Sequence, residues 1–81
     1  MNEPQLIPNP AATDLEISLP GESAHWIISI FSLQGIPLTR LEDKNTSIFR
    51  LNVSQVPAGT YVCRMISPGR AMFSTKLVII H

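Results

Sequence analysis

Apolar residues recur at every second position through much of the chain. In Asp14–Leu19, Leu15, Ile17 and Leu19 alternate with Asp14, Glu16 and Ser18, the pattern of a strand with one dry and one wet face. Trp26–Phe31 sets Trp26, Ile28 and Ile30 on one face against Ile27, Ser29 and Phe31 on the other. Thr60–Ser67 groups Tyr61, Cys63 and Met65 opposite Val62, Arg64 and Ile66, and Ala71–Ile80 groups Phe73, Leu77 and Ile79 opposite Met72, Val78 and Ile80. Shorter runs at Gln5–Pro8, Ile36–Glu42 and Ser47–Val53 bring the predicted strands to about seven. Pro8-Asn9-Pro10, Pro20-Gly21, Gly35-Ile36-Pro37, Pro57-Ala58-Gly59 and Pro68-Gly69 separate the runs and read as turns. In Pro20-Gly21 and Pro68-Gly69 the proline presets φ and the glycine accepts φ > 0, as a type II turn requires. Short strands at this spacing predict an all-β fold, an immunoglobulin-like β-sandwich. Pro37 lacks a backbone donor, so the strand it interrupts is predicted to lie on an edge.

Composition narrows what such a sandwich can do. At 81 residues there is room for one domain, and 44% hydrophobic with 15% charged residues excludes a disordered chain. Six acidic and six basic side chains cancel, so no net field draws the chain to nucleic acid or an anionic membrane. The single cysteine, Cys63, cannot form an intramolecular disulfide, and neither His25 nor His81 stands at a metal-ligand spacing from it. No Gly-x-Ser-x-Gly elbow or other nucleophile constellation is present. No catalytic site and no cofactor is therefore expected. The longest unbroken apolar stretch, Leu77-Val78-Ile79-Ile80, falls far short of the roughly 18 residues of a membrane-spanning helix, so no membrane insertion is expected. Met1-Asn2-Glu3-Pro4 lacks the basic start and apolar run of a secretory signal, which leaves a cytosolic protein or a piece of a longer one.

In Ala58-Gly59-Thr60-Tyr61-Val62-Cys63 a tyrosine stands two positions before a cysteine, as in the tyrosine corner of immunoglobulin-like sandwiches. This predicts that the Tyr61 ring packs in the core and its hydroxyl returns to an upstream backbone group. Cys63 is expected to be a buried thiol acting as a small hydrophobe, with Trp26 as a core counterpart.

With these pieces in order, the chain resembles the type A C-terminal sorting domain of the type IX (Por) secretion system. The resemblance runs from Leu6 to the C-terminus. It opens on Ile7-Pro8-Asn9-Pro10 and the strand Leu15–Leu19, then continues through Ile28-Ser29-Ile30-Phe31-Ser32-Leu33-Gln34-Gly35. Next come Leu51, a spacer and the turn Val56-Pro57-Ala58-Gly59-Thr60-Tyr61, and it closes on Phe73-Ser74-Thr75-Lys76-Leu77-Val78-Ile79-Ile80. Ile7 stands where tyrosine is commoner and Ser32 where aspartate or asparagine is commoner. The resemblance implies a non-catalytic export signal: residues 1–5 as residual linker from a preceding cargo domain, and residues 6–81 as the sorting domain. It implies transit through the periplasm, recognition by an outer-membrane translocon, removal by a sortase, and delivery to the cell surface or the medium. The implied fold motif is Pro8, Asn9, Pro10, Gly35, Leu51, Pro57, Ala58, Gly59 and Tyr61. The expected recognition residues are Arg70, Phe73, Lys76, Leu77, Val78, Ile79 and Ile80.

Three runs carry apolar residues on both faces, so Ile27, Phe31, Val62, Ile66, Val78 and Ile80 cannot all be covered by a two-sheet sandwich. The late strand is expected to offer a partner surface, by edge pairing or face packing, and a homodimer in isolation follows from the same exposed strand. Lys76 reads either as a charge that keeps a sticky edge soluble or as a contact to an acidic patch on the translocon, with Arg64 and Arg70 able to join it. The competing reading is an immunoglobulin-like adhesion or carbohydrate-binding module. Such a module should show aromatic platforms on loops, whereas Trp26, Phe31, Phe49, Tyr61 and Phe73 all fall within predicted strands.

Overall fold

The computed structural model describes residues 3–81; Met1 and Asn2, the start of the expected 1–5 linker, lie outside the described residues. Among the described residues seven strands form in chain order: β1 (Gln5–Ile7), β2 (Asp14–Ser18), β3 (Ala24–Ser32), β4 (Pro37–Thr46), β5 (Ile48–Asn52), β6 (Gly59–Ser67) and β7 (Ala71–Ile79). They divide into a three-stranded sheet, β1-β2-β5, and a four-stranded sheet, β4-β3-β6-β7, with every neighbouring pair antiparallel. The chain changes sheet between β2 and β3, between β4 and β5, and between β5 and β6. That is the connectivity of an immunoglobulin-like sandwich whose fourth strand joins the second sheet.

The alternating faces meet in one core. Leu15, Ile17 and Leu19 from the first sheet and its exit pack with Trp26, Ile28, Ile30, Tyr61, Cys63, Met65, Leu77 and Ile79 from the second. Ala11 and Val53 are buried in the same cluster, and the partly buried Leu6, Leu41, Phe49, Leu51 and Phe73 pack against its margin. A fully buried Leu, Ile or Met contributes about 1.5–3 kcal/mol relative to exposure. Seven of them, Leu15, Ile17, Ile28, Ile30, Met65, Leu77 and Ile79, are at most 1% exposed, which is what this staple-free domain rests on.

Turn chemistry sets the β6–β7 hairpin and the passage from β2 to β3. Arg70 N–H donates to the Ser67 carbonyl at 2.9 Å across Pro68-Gly69, with Gly69 at φ 74°, and Gly21 holds φ 81° after Pro20. A side chain at either glycine would be strained in that left-handed region. β4 is an edge strand and begins at Pro37, as the missing donor requires. It also runs to Thr46, four residues beyond the predicted Glu42. Its second half, Glu42-Asp43-Lys44-Asn45, is exposed on both sides and has no alternation to read, but it pairs along β3 as far as Ala24 through bulged registers.

Candidate functional site

β7 carries two rows of side chains with opposite fates. Leu77 and Ile79 are buried, and Phe73 is half-buried with its ring centroid 6.3 Å from that of Trp26. Three of the expected recognition residues thus point into the sandwich and hold it together. Lys76 is exposed and Val78 half-buried on the outer face, Ile80 is 50% exposed just beyond the strand, and Arg70 is exposed in the preceding turn.

The Pro8-Asn9-Pro10 segment seals half of the β7 edge, which sequence reasoning missed. The Asn9 side-chain amide donates from Nδ2 to the Lys76 carbonyl and accepts the Val78 N–H on Oδ1, both at 3.0 Å. Ala11 continues the pairing: its N–H donates to the Val78 carbonyl at 2.8 Å, and its carbonyl accepts the Ile80 N–H at 2.9 Å. A backbone flanked by prolines is short of donors, so the asparagine side chain stands in for a peptide group. The expected open edge therefore needs correcting from Lys76 to Ile80, where the chain's own N-terminal segment already pairs with it. The signal was present in the sequence, a carboxamide between two prolines, but its partner lies 67 residues away.

Of the other motif residues, Gly35 closes the β3–β4 turn, with its N–H on the Ser32 carbonyl at 2.9 Å. Ser32 Oγ accepts the Gln34 and Ile36 N–H groups there, which the commoner aspartate or asparagine could also do. Leu51 packs at the core margin. Pro57, Ala58 and Gly59 lead into β6, where Tyr61 donates its hydroxyl to the Pro57 carbonyl at 2.6 Å, the predicted corner.

The outer face of the four-stranded sheet falls into cross-strand rows. Glu42, Ile27, Ile66 and Met72 form one; Arg40, Ser29, Arg64 and Ser74 the next; Phe31, Val62 and Lys76 a third. The Arg64 guanidinium sits 5.1 Å from the Phe31 ring centroid. Glu42 is the one acid in these rows; His25 Nε2 lies 2.6 Å and Arg40 3.2 Å from its carboxylate. The hydrogen bond from His25 holds that carboxyl below its ordinary pKa; desolvation opposes it, and the nearby Arg40 adds to the lowering. The outer face of the other sheet is different in kind. Asp14 and Asn52, Glu16 and Arg50, and Ser18 face water there, with Arg50 3.4 Å from Glu16.

No group of three His, Cys, Asp or Glu side chains could hold a metal among the described residues, and Cys63 is buried, its thiol pushed up to about 12 by desolvation. No described helix is long and apolar enough to cross a membrane. Of the five aromatics, Trp26 and Tyr61 are core, Phe49 and Phe73 pack on the core margin, and Phe31 lies on the outer face beneath Arg64.

The family model of the secretion system C-terminal sorting domain matches residues 5–80. The chain belongs to that family. The family is that of the type IX secretion C-terminal sorting signals. No curated protein matches the chain. The sorting domain thus joins a match over nearly its whole length to a fold whose last strand is both structural and displayed.

Proposed function

We propose that the folded sandwich is the signal, read by the outer-membrane translocon through Lys76 and Val78 on the outer face of β7, with Arg70 in the turn before it and Ile80 just beyond it. The observation that supports this most is the division of labour along β7. Phe73, Leu77 and Ile79 hold the two sheets together while the alternate side chains remain displayed. An unfolded tail would not present that row in register, so recognition and folding are one requirement. The reading extends to the cargo side. The cargo lies ahead of β1, joined through the linker expected in residues 1–5, whose last residue, Gln5, already pairs in β1, and Asn9 fastens that end to the last strand. A sortase cuts in the linker ahead of β1, after periplasmic transit and passage of the outer membrane, which leaves the cargo at the surface or in the medium. Subtype A follows from the same motifs.

The test replaces Val78 with Asp and Ile80 with Lys behind a periplasmic reporter, with Leu77 and Ile79 untouched. Loss of surface reporter with cooperative unfolding retained is the expected result. Export equal to the parent in a folded double variant would remove the β7 row from the account.

A further inference from the structure

A second surface lies away from β7. The β3–β4 turn and the outer face of β3, β4 and β6 enclose a groove of about 650 Å³, lined by Ser29, Phe31, Leu38, Arg40 and Arg64 among others. Phe31, Pro37 and Leu38 supply apolar lining, and Leu38 is 40% exposed. Arg40 and Arg64 both stand directly across from Ser29, on the strands flanking β3. Two interstrand steps separate them, about 10 Å at the usual strand spacing, with a hydroxyl between.

Charge decides what such a groove can take. Arg40 and Arg64 line it, Lys76 stands one row away, and no carboxylate is among the lining residues. Glu42, one row off, is held by His25 and by one amino group of Arg40 at 3.2 Å, which leaves the other N–H donors of that guanidinium for a ligand. A second copy of the chain laid face to face would bring two like-charged sets together, which is destabilising. Anionic lipid surfaces are matched by clusters of roughly 4–8 basic residues; here the cations are fewer and separated by Phe31, Val62 and Ser29. A guanidinium stacked on an aromatic ring remains free to make in-plane bonds to a carboxylate. We propose that this groove binds a segment of a protein partner that presents carboxylates beside apolar side chains, the acid bridging Arg40 and Arg64 and the apolar neighbour resting on Phe31 and Leu38. The partner meets the domain during export, so the inference rests on the export reading, but it uses none of the β7 residues assigned above.

The experiment compares three tails behind one periplasmic reporter in a type IX-competent strain: the parent, R40E/R64E, and R50E, whose charge lies on the opposite sheet. A photo-crosslinking residue at Leu38 is added to each, and folding is checked by the Trp26 emission transition. The proposal expects R40E/R64E to export at least tenfold less than the parent and to lose its Leu38 crosslink, with R50E like the parent. A folded R40E/R64E tail exported like the parent overturns the proposal and leaves the export reading standing. Leu38 crosslinks only to a second copy, or only to lipopolysaccharide, also overturn it. A parent tail that stays in the periplasm removes both readings.

Discussion

Replacing Asn9 with Ala tests whether one side chain locks the two ends of the domain together. The substitution removes both 3.0 Å bonds to β7 and changes no core residue, since Asn9 is exposed. A net hydrogen bond of this kind contributes about 0.5–1.5 kcal/mol, so the pair amounts to about 2 kcal/mol. A domain of this size holds only roughly 3–5 kcal/mol in total, so the loss is a large share. At 4–8 °C for each kcal/mol, the unfolding midpoint should fall by roughly 8–16 °C. Asn9→Asp should not recover it, because the acid keeps an acceptor for Val78 N–H but sets a second oxygen against the Lys76 carbonyl. Thermal unfolding followed by Trp26 emission gives the midpoint, and hydrogen exchange at the Val78 amide locates the effect. The opened edge should also show itself as concentration-dependent self-association in light scattering. A midpoint within 2–3 °C of the parent, roughly half a kcal/mol by the same scaling, together with undiminished Val78 protection, would refute the latch.

Two further outcomes follow from the core. Tyr61→Phe removes the 2.6 Å bond to the Pro57 carbonyl and keeps the ring, so it should cost about 1 kcal/mol in denaturant titration; a midpoint unmoved by the change would mean the corner is decorative. Cys63 should resist a thiol-specific disulfide reagent at pH 8 until the domain unfolds. Burial raises its thiol from 9.0 to about 12, so the native state holds the proton more tightly than the unfolded chain. Stability from this group is therefore fully present below pH 9 and falls as pH rises towards 12, with a slope of roughly 1.4 kcal/mol per pH unit at most. Chemical denaturation at pH 8 and pH 10.5 checks this, and Cys63→Ala should flatten the difference; rapid labelling of the folded protein would contradict it.

The inward rows were legible because period-two alternation is a local signal. Leu15, Ile17, Trp26, Ile28, Ile30, Cys63, Met65, Leu77 and Ile79 all point inward as the pattern requires. Tyr61 was legible for a related reason: its bond reaches only four residues back. The extension of β4 to Thr46 was not, because an edge strand wet on both sides has no pattern to betray it. Nor was the Asn9 latch, whose two ends meet only after the Greek-key path has brought β7 beside the N-terminal segment. The recognition residues illustrate the same divide. The two alternating rows of Phe73–Ile80 are visible in sequence, but the Asn9 and Ala11 bonds that cover the backbone between Lys76 and Ile80 are not. The groove at Phe31, Arg40 and Arg64 draws on three strands and could not be assembled from spacing alone.

The claim that the folded domain is an export address is tested most directly by fusion. Residues 1–81 are placed behind a periplasmically targeted fluorescent reporter, in a type IX-competent bacterium and in its translocon-null sibling. The account predicts reporter at the surface or in the medium of the competent strain alone, and none for a tail carrying Leu77→Asp, which cannot close the sandwich. Reporter held in the periplasm of both strains, with the parent tail folded, would contradict it.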